Sequence, residues 1–128
     1  MRKPKKIKEP KIKEKSIFGS PLEEKFFKAC EKAGIVLIPQ FPVGSFRLDF
    51  LLDLNHVKIA IEIDGSRFHR TKKQMTNDYK RQRGLRLIGF EMIRFTGQEI
   101  YYEVDYCVQE LVKFRDLILK TYPVQVLL

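Results

Sequence analysis

Three acidic residues, Asp49, Glu62 and Asp64, are the side chains whose types and spacing most favour metal binding in this sequence. Carboxylate oxygens are the ligands that a hard divalent cation such as Mg²⁺ prefers. Glu62 and Asp64 are two residues apart, so in a β-strand they point to the same face. Asp49 is distant from both in sequence, and a shared site therefore depends on an element that folds the chain back.

Two runs of alternating apolar and polar residues, 47–54 and 57–64, can supply that element. Such alternation is typical of β-strands, and the turn-like pair at 55–56 predicts an antiparallel hairpin. In this register Asp49 is directly opposite Glu62, with Cβ atoms about 5 Å apart. A slip of one residue would mix the two faces. The predicted apolar face comprises Leu48, Phe50, Leu52, Leu54, Val57, Ile59, Ile61 and Ile63.

The other face of this hairpin concentrates negative charge. Like charges that are directly opposed in a strand pair destabilise the pair. A divalent cation between Asp49 and Glu62 would remove that repulsion. The alternative interpretation is that Arg47 and Lys58, on the same face, neutralise the acids at a solvated surface.

Composition indicates a folded domain of modest size. The chain has 128 residues, of which 44% are hydrophobic, enough for one core. No apolar run approaches the roughly 20 residues that span a bilayer. The basic N-terminal stretch lacks the apolar region of a signal peptide, so we expect a cytoplasmic protein. Cys30 and Cys107 lack metal-ligand spacing and are predicted to be buried and reduced.

The net charge of +9 is concentrated in two segments. Residues 1–15 carry eight Lys or Arg and two Glu, and are predicted to be a flexible basic tail or a linker remnant before a domain at 16–128. Residues 67–86 carry eight Lys or Arg and one Asp. Such concentration is typical of polyanion binders. The residues predicted to contact phosphates, without reading sequence, are Arg67, Arg70, Lys72, Lys73, Lys80 and Arg81.

The remaining elements follow from caps and periodicity. Capping boxes that begin at Ser20 and Thr96 predict the starts of two helices. Pro39 interrupts the first strand, which is therefore predicted at a sheet edge. The predicted elements are a helix at 20–34, strands at 35–41, 47–54 and 57–64, a helix at 72–87, a strand at 90–95 and a helix ending at about residue 121. This α-β-β-β-α-β-α order predicts an α/β fold, a mixed β-sheet flanked by helices.

Several short motifs occur together in this order. They are Ser20-Pro21-Leu22-Glu23, Arg47-Leu48-Asp49-Phe50, Ile61-Glu62-Ile63-Asp64-Gly65 with His69, Asp78, and Ile93-Arg94-Phe95-Thr96. Over roughly residues 16–120, the chain resembles the PD-(D/E)XK nuclease superfamily and, more narrowly, its small very-short-patch-repair-like endonuclease domains. The resemblance implies a restriction-endonuclease-like fold.

The resemblance also implies roles for particular residues. Asp49 and Glu62 would hold Mg²⁺, with Mn²⁺ as a substitute, and Asp64 is a third candidate ligand. The metal would activate a water for attack on a phosphodiester. His69 would accept a proton or position that water. Glu23 corresponds to a first-helix acid that approaches the metal, although its place in the capping box explains it equally well.

One position departs from the superfamily pattern. Most members have Lys two residues after the second acid, where this chain has Asp64. The very-short-patch-repair-like subgroup also lacks this Lys and has a nearby His, so the departure is consistent with the subgroup. Lys58 or a basic residue after the hairpin is a candidate replacement.

The function implied is that of a Mg²⁺-dependent DNA endonuclease or nickase, and charge alone leaves RNA open as a substrate. The alternatives are a non-catalytic nucleic-acid-binding module with the same fold and a structural subunit of a larger assembly. Residues 124–128 are apolar and could form an edge strand, cover a groove, or support a homodimer. We expect Asp78 to pair with a basic neighbour, His56 to be structural or exposed, and three tyrosines to pack: Tyr101, Tyr102 and Tyr106.

Overall fold

The computed structural model describes residues 16–65 and 70–124. The predicted basic tail, Arg67, His69 and most of the apolar C-terminal segment lie outside these residues. The elements are α1 (Pro21–Lys32), β1 (Ile38–Val43), β2 (Phe46–Asp53), β3 (Lys58–Asp64), α2 (Lys72–Leu87), β4 (Phe90–Thr96) and α3 (Gly97–Thr121). This order confirms the predicted α/β architecture.

The sheet is mixed and has the strand order β1-β2-β3-β4. β1, β2 and β3 pair antiparallel, and β4 pairs parallel to β3 because α2 carries the chain back across the sheet. The pairs Leu51–Ala60 and Asp53–Lys58 confirm the predicted hairpin register. β1 lies at an edge, as Pro39 predicted, but it begins later than the expected 35–41 and includes Pro42, which lies beyond the predicted strand.

The alternation of β2 side chains between the two faces of the sheet is broken at Leu48, the residue before Asp49. The prediction that Leu48 shares a face with Phe50 is wrong, because Leu48 packs with Leu51 and Ala60 on the opposite side of the sheet. The recorded β2–β3 pairs end at Phe50–Ile61. The irregularity extends to the paired edge strand, where Gln40 has a φ of 52°, in the left-handed region that is unusual for a residue with a side chain.

Two apolar clusters hold the helices on the sheet. α1 and α3 cover one face, where Phe26 and Phe50 are fully buried with ring centroids 6.1 Å apart. Burial of each such side chain contributes about 2 kcal/mol. α2 covers the other face through a smaller cluster around Leu85. That cluster covers little of α2, and two of its large side chains, Met75 and Tyr79, are exposed.

Local signals located the helices well. Thr96 and Glu99 form the predicted capping box of α3, whereas the equivalent box of Thr71 and Gln74 at α2 was not predicted. Both cysteines are free and buried as predicted, and burial raises the pKa of Cys30 to about 12. Across the ranges that the structure covers, the helices are too short or too polar to traverse a bilayer.

The three exposed tyrosines of α3 contradict the sequence expectation. Tyr101, Tyr102 and Tyr106 are 60%, 73% and 55% exposed rather than packed in the core. Core-facing positions of α3 are taken by residues such as Ile100 and Cys107, which leaves the tyrosines on the outer side. Tyr101 and Tyr102 contact each other edge to face, with centroids 4.7 Å apart.

Candidate active site

Three carboxylates from three elements meet where the β2–β3 pairing ends. They are Glu23 of α1, Asp49 of β2 and Glu62 of β3, here called the acidic cluster. Glu23 is 7% exposed and Glu62 is 5% exposed, the two charged residues buried among those the structure describes. Burial of neighbouring charged side chains costs free energy unless hydrogen-bond partners or a bound cation compensate for it.

Glu23 is positioned by both the helix cap and the sheet. The Ser20 hydroxyl accepts a hydrogen bond from the Glu23 backbone N–H at 3.2 Å, which begins α1. Gln40 of β1 donates to the Glu23 carboxylate at 2.8 Å. Burial, followed by the negative charge of Asp49, raises the pKa of Glu23. Glu23 therefore belongs to the cap and also lies near Asp49, while its approach to a metal stays a prediction.

Asp49 is held by the neighbouring strand. Its Oδ2 accepts a hydrogen bond from the Ile63 backbone N–H at 2.8 Å, beyond the last recorded strand pair. Burial, a hydrogen bond with Asp49 and the charge of Asp49 raise the pKa of Glu62 to about 7, against the opposing effect of Arg81. The carboxyls that the hairpin register predicted to be opposed are therefore in direct contact.

Arg81 of α2 completes this end of the sheet. Its guanidinium donates to the Glu62 carboxylate and, at 3.0 Å, to the backbone carbonyl of Arg47. It also lies over the Phe46 ring, 5.8 Å from the centroid. The sequence predicted only a phosphate contact for Arg81. Its inward direction was readable from Leu85, because residues four apart share a helix face.

Asp64 belongs to a separate network centred on Arg94. Arg94 donates to both carboxylate oxygens of Asp64, at 3.1 and 3.0 Å, and also to Gln82 at 3.0 Å. It pairs with Asp78 at 2.9 Å, as expected for Asp78. Burial lowers the pKa of Arg94, but its hydrogen bonds to the two aspartates outweigh burial and raise it overall.

The basic residues divide into two sets. Lys72, Lys73 and Lys80 are exposed on α2, where a polyanion can reach them, whereas Arg70 pairs with Asp78 at 3.5 Å.

Lys58 is not beside the acidic cluster, contrary to the expectation that it could replace the missing Lys. It pairs with its cross-strand neighbour Asp53 at 2.9 Å, next to the turn and four residues, or about 13 Å, along β3 from Glu62.

The hairpin turn itself is structural. The His56 side chain is exposed, and its Nε2 lies 2.7 Å from the Tyr122 carbonyl at the end of α3, while Nδ1 lies 3.0 Å from the Leu54 carbonyl. These contacts join the hairpin turn to the last helix. They are at the opposite end of the hairpin from the acidic cluster, as the sequence indicated for His56.

The donor set of the acidic cluster fits a hard divalent cation. All of its candidate ligand atoms are carboxylate oxygens. Burial and the adjacent charge of Asp49 raise the pKa of Glu62, and a cation would favour the ionised carboxylates against both effects. Within residues 16–65 and 70–124, no three His, Cys, Asp or Glu side chains already stand in a metal-holding arrangement. Arg81 donates to one oxygen of Glu62, and the Ile63 amide donates to one oxygen of Asp49, so a cation would share both carboxylates with these donors.

Comparisons with known proteins agree with this architecture. The profile of the restriction-endonuclease-like family REase_MTES_1575 matches residues 22–114, a range that includes the acidic cluster. The solved structure of the homing endonuclease I-Bth0305I catalytic domain superposes with a TM-score of 0.60 at 20% identity, covering 75% of this chain and 94% of that domain. Identity this low shows a shared fold. No curated protein matches the sequence.

Proposed function

Because this chain belongs to the restriction-endonuclease-like family REase_MTES_1575, we propose that it is a metal-dependent endodeoxyribonuclease that cuts or nicks DNA. The observation that carries the proposal is the convergence of Glu23, Asp49 and Glu62 beside a basic helix. Buried carboxylates in mutual contact destabilise a fold and persist where function requires them. The very-short-patch-repair-like subtype is part of the same proposal.

Asp49 and Glu62 would hold Mg²⁺, or Mn²⁺ in its place, with Glu23 as the adjacent acid. A bound metal supplies an activated water and neutralises the charge that develops on the phosphate. Asp64, predicted as a third ligand, is bonded to Arg94 on both oxygens. We therefore assign Asp64 chiefly to positioning the end of β3.

The protein's own residues bind and orient the nucleic acid. Lys72, Lys73 and Lys80 present positive charge along the exposed side of α2, which suits contacts to the phosphate backbone and is independent of base sequence. Arg81 connects this helix to Glu62. His69 remains the predicted proton acceptor.

Plasmid nicking in Mg²⁺ or Mn²⁺ tests the proposal. Asp49→Asn and Glu62→Gln keep side-chain shape while they remove charge, and each should abolish cleavage. Asp53→Asn is the matched control, because Asp53 is exposed at the other end of the same hairpin and pairs with Lys58. Duplex DNA and RNA of one sequence, compared as substrates, would test the preference for DNA.

A different result would favour the non-catalytic alternative. If the intact protein binds duplex DNA but does not cleave it in either metal, and if neither acidic substitution alters binding, the chain is a nucleic-acid-binding module. The Arg81–Glu62 ion pair is the observation in favour of that alternative, since it neutralises a buried carboxylate without any metal.

A further inference from the structure

The Arg81–Glu62 ion pair joins the acidic cluster to the basic helix. Arg81 extends from α2, whose exposed residues include Lys80, to a Glu62 carboxylate that is almost fully buried. Its second bond, to the Arg47 carbonyl at 3.0 Å, and its position over the Phe46 ring fix the guanidinium in this place. One residue therefore contacts the proposed metal ligand and belongs to the proposed phosphate-binding element.

Two cations compete for the Glu62 carboxylate if the proposed function is correct. Arg81 donates to Oε1 of Glu62 and the Ile63 amide donates to Oδ2 of Asp49, so a divalent ion held by both carboxylates would share them with these donors. A guanidinium beside the same carboxylate also repels a second cation. Metal binding is therefore weakened for as long as Arg81 stays on Glu62.

Nucleic acid can relieve this competition. A guanidinium binds phosphate through two parallel hydrogen bonds, as it binds carboxylate. Leaving Glu62 without a new partner would strand a buried charge, which is strongly unfavourable. Phosphate for Arg81 and a divalent cation for Glu62 satisfy both charges together.

We propose that Arg81 couples substrate binding to metal binding: it occupies the Glu62 carboxylate in the free protein and transfers to a backbone phosphate when nucleic acid binds. This inference rests on the proposed function. Coupling between two binding events is reciprocal, so DNA raises the affinity for metal as much as metal raises the affinity for DNA.

Mn²⁺ affinity, measured by electron paramagnetic resonance, tests this coupling without relying on activity. Each protein is titrated with and without a short duplex whose phosphorothioate backbone resists hydrolysis, and Mn²⁺ binding to the duplex alone is subtracted. For the wild type we expect the duplex to tighten Mn²⁺ binding about fivefold or more. For Arg81→Gln we expect tight Mn²⁺ binding without the duplex and no further tightening with it.

Arg83→Gln is the matched control. Arg83 lies on the same helix, is exposed, and loses the same charge upon this substitution. The duplex should therefore tighten Mn²⁺ binding to Arg83→Gln by the same factor as in the wild type. Circular dichroism establishes that each variant is folded. If Arg81→Gln does not fold, Arg81→Lys replaces it. A lysine ammonium cannot form the two parallel hydrogen bonds of a guanidinium. The duplex should therefore tighten Mn²⁺ binding to Arg81→Lys by a smaller factor than in the wild type.

The outcomes separate the two levels of inference. Equal enhancement in the wild type and in the Arg81 variant, with Mn²⁺ bound in both, overturns the coupling and leaves the proposed nuclease function standing. No Mn²⁺ binding by any protein, with or without the duplex, overturns the metal site and the coupling together. Enhancement that is lost only in the Arg81 variant supports the coupling.

Discussion

Gln40 of the edge strand β1 donates a 2.8 Å hydrogen bond to Glu23 of α1, and this bond joins the first helix to the sheet at the acidic cluster. Gln40, the donor of this bond, has a φ of 52°, a conformation that costs free energy for any residue other than glycine. The irregular part of β1 therefore coincides with the place where Glu23 must be held against Asp49.

A methyl group at Gly19 should displace Glu23. A Cβ at this position would lie 2.7 Å from Glu23 Oε2 and 3.1 Å from Gln40 Nε2, closer than atoms of ordinary side chains approach. Gly19→Ala should lower nuclease activity by up to about 100-fold, because small displacements at a reacting centre are costly. Nicking rates measure this, with thermal unfolding to show that the fold survives. Unchanged nicking by Gly19→Ala would contradict the expectation that activity depends on this position of the Glu23 carboxylate.

The stability of the metal-free protein should fall as pH rises. The pKa of Glu62 is about 7 in the folded protein, against 4.5 for the ordinary group. Between these pH values the folded state binds more protons than the unfolded state, so the free energy of unfolding decreases with rising pH, by about 3 kcal/mol for Glu62. Urea unfolding at pH 5 and pH 7.5 measures the difference.

Glu62→Gln should remove most of this pH dependence, since glutamine does not titrate. Glu31→Gln is the control, because Glu31 is exposed on α1 and should leave the dependence unchanged. Mg²⁺ should restore stability to the wild type at pH 7.5, because a ligand of the folded state favours folding. The same pH slope in Glu62→Gln and in the wild type would contradict the burial effect.

Arg94→Lys should destabilise the fold by about 2 to 3 kcal/mol, because lysine cannot maintain the bonds from one guanidinium to Asp64, Asp78 and Gln82. Thermal or urea unfolding measures the loss. Arg115→Lys is the control, as Arg115 pairs with Asp116 at the surface and should cost less than about 1 kcal/mol. Equal effects of the two substitutions would show that the Arg94 network adds little stability.

Gly84→Ala should stabilise the protein by about 1 kcal/mol. Gly84 lies inside α2, where alanine is the better helix former, and the nearest atom to its new Cβ is Phe46 Cε2 at 4.0 Å. Gly89→Ala provides the opposite case, since Gly89 has a φ of 97° and should become strained. Urea unfolding of both variants measures the difference, and a destabilised Gly84→Ala would indicate strain in α2 that the contacts do not show.

The elements and the hairpin register were predictable because they depend on neighbouring residues. Capping residues, alternation and turn signals act over a few positions, and they located all seven elements to within a few residues. The register followed from the same alternation, which paired Leu51 with Ala60 and Asp53 with Lys58. The boundaries of β1 were less accurate, because strand pairing at an edge tolerated a proline that the local signal excluded.

The sequence by itself determined the order of elements, the mixed sheet and the proximity of Asp49 and Glu62. Only the tertiary structure decided which further side chains join them: Glu23 and Arg81 reach the cluster from helices on opposite faces, while Arg94 holds Asp64 in a separate network. These contacts join residues nineteen or more positions apart. A local period can show that Arg81 shares a helix face with Leu85, but it does not identify the partner, which depends on how each helix rests on the sheet.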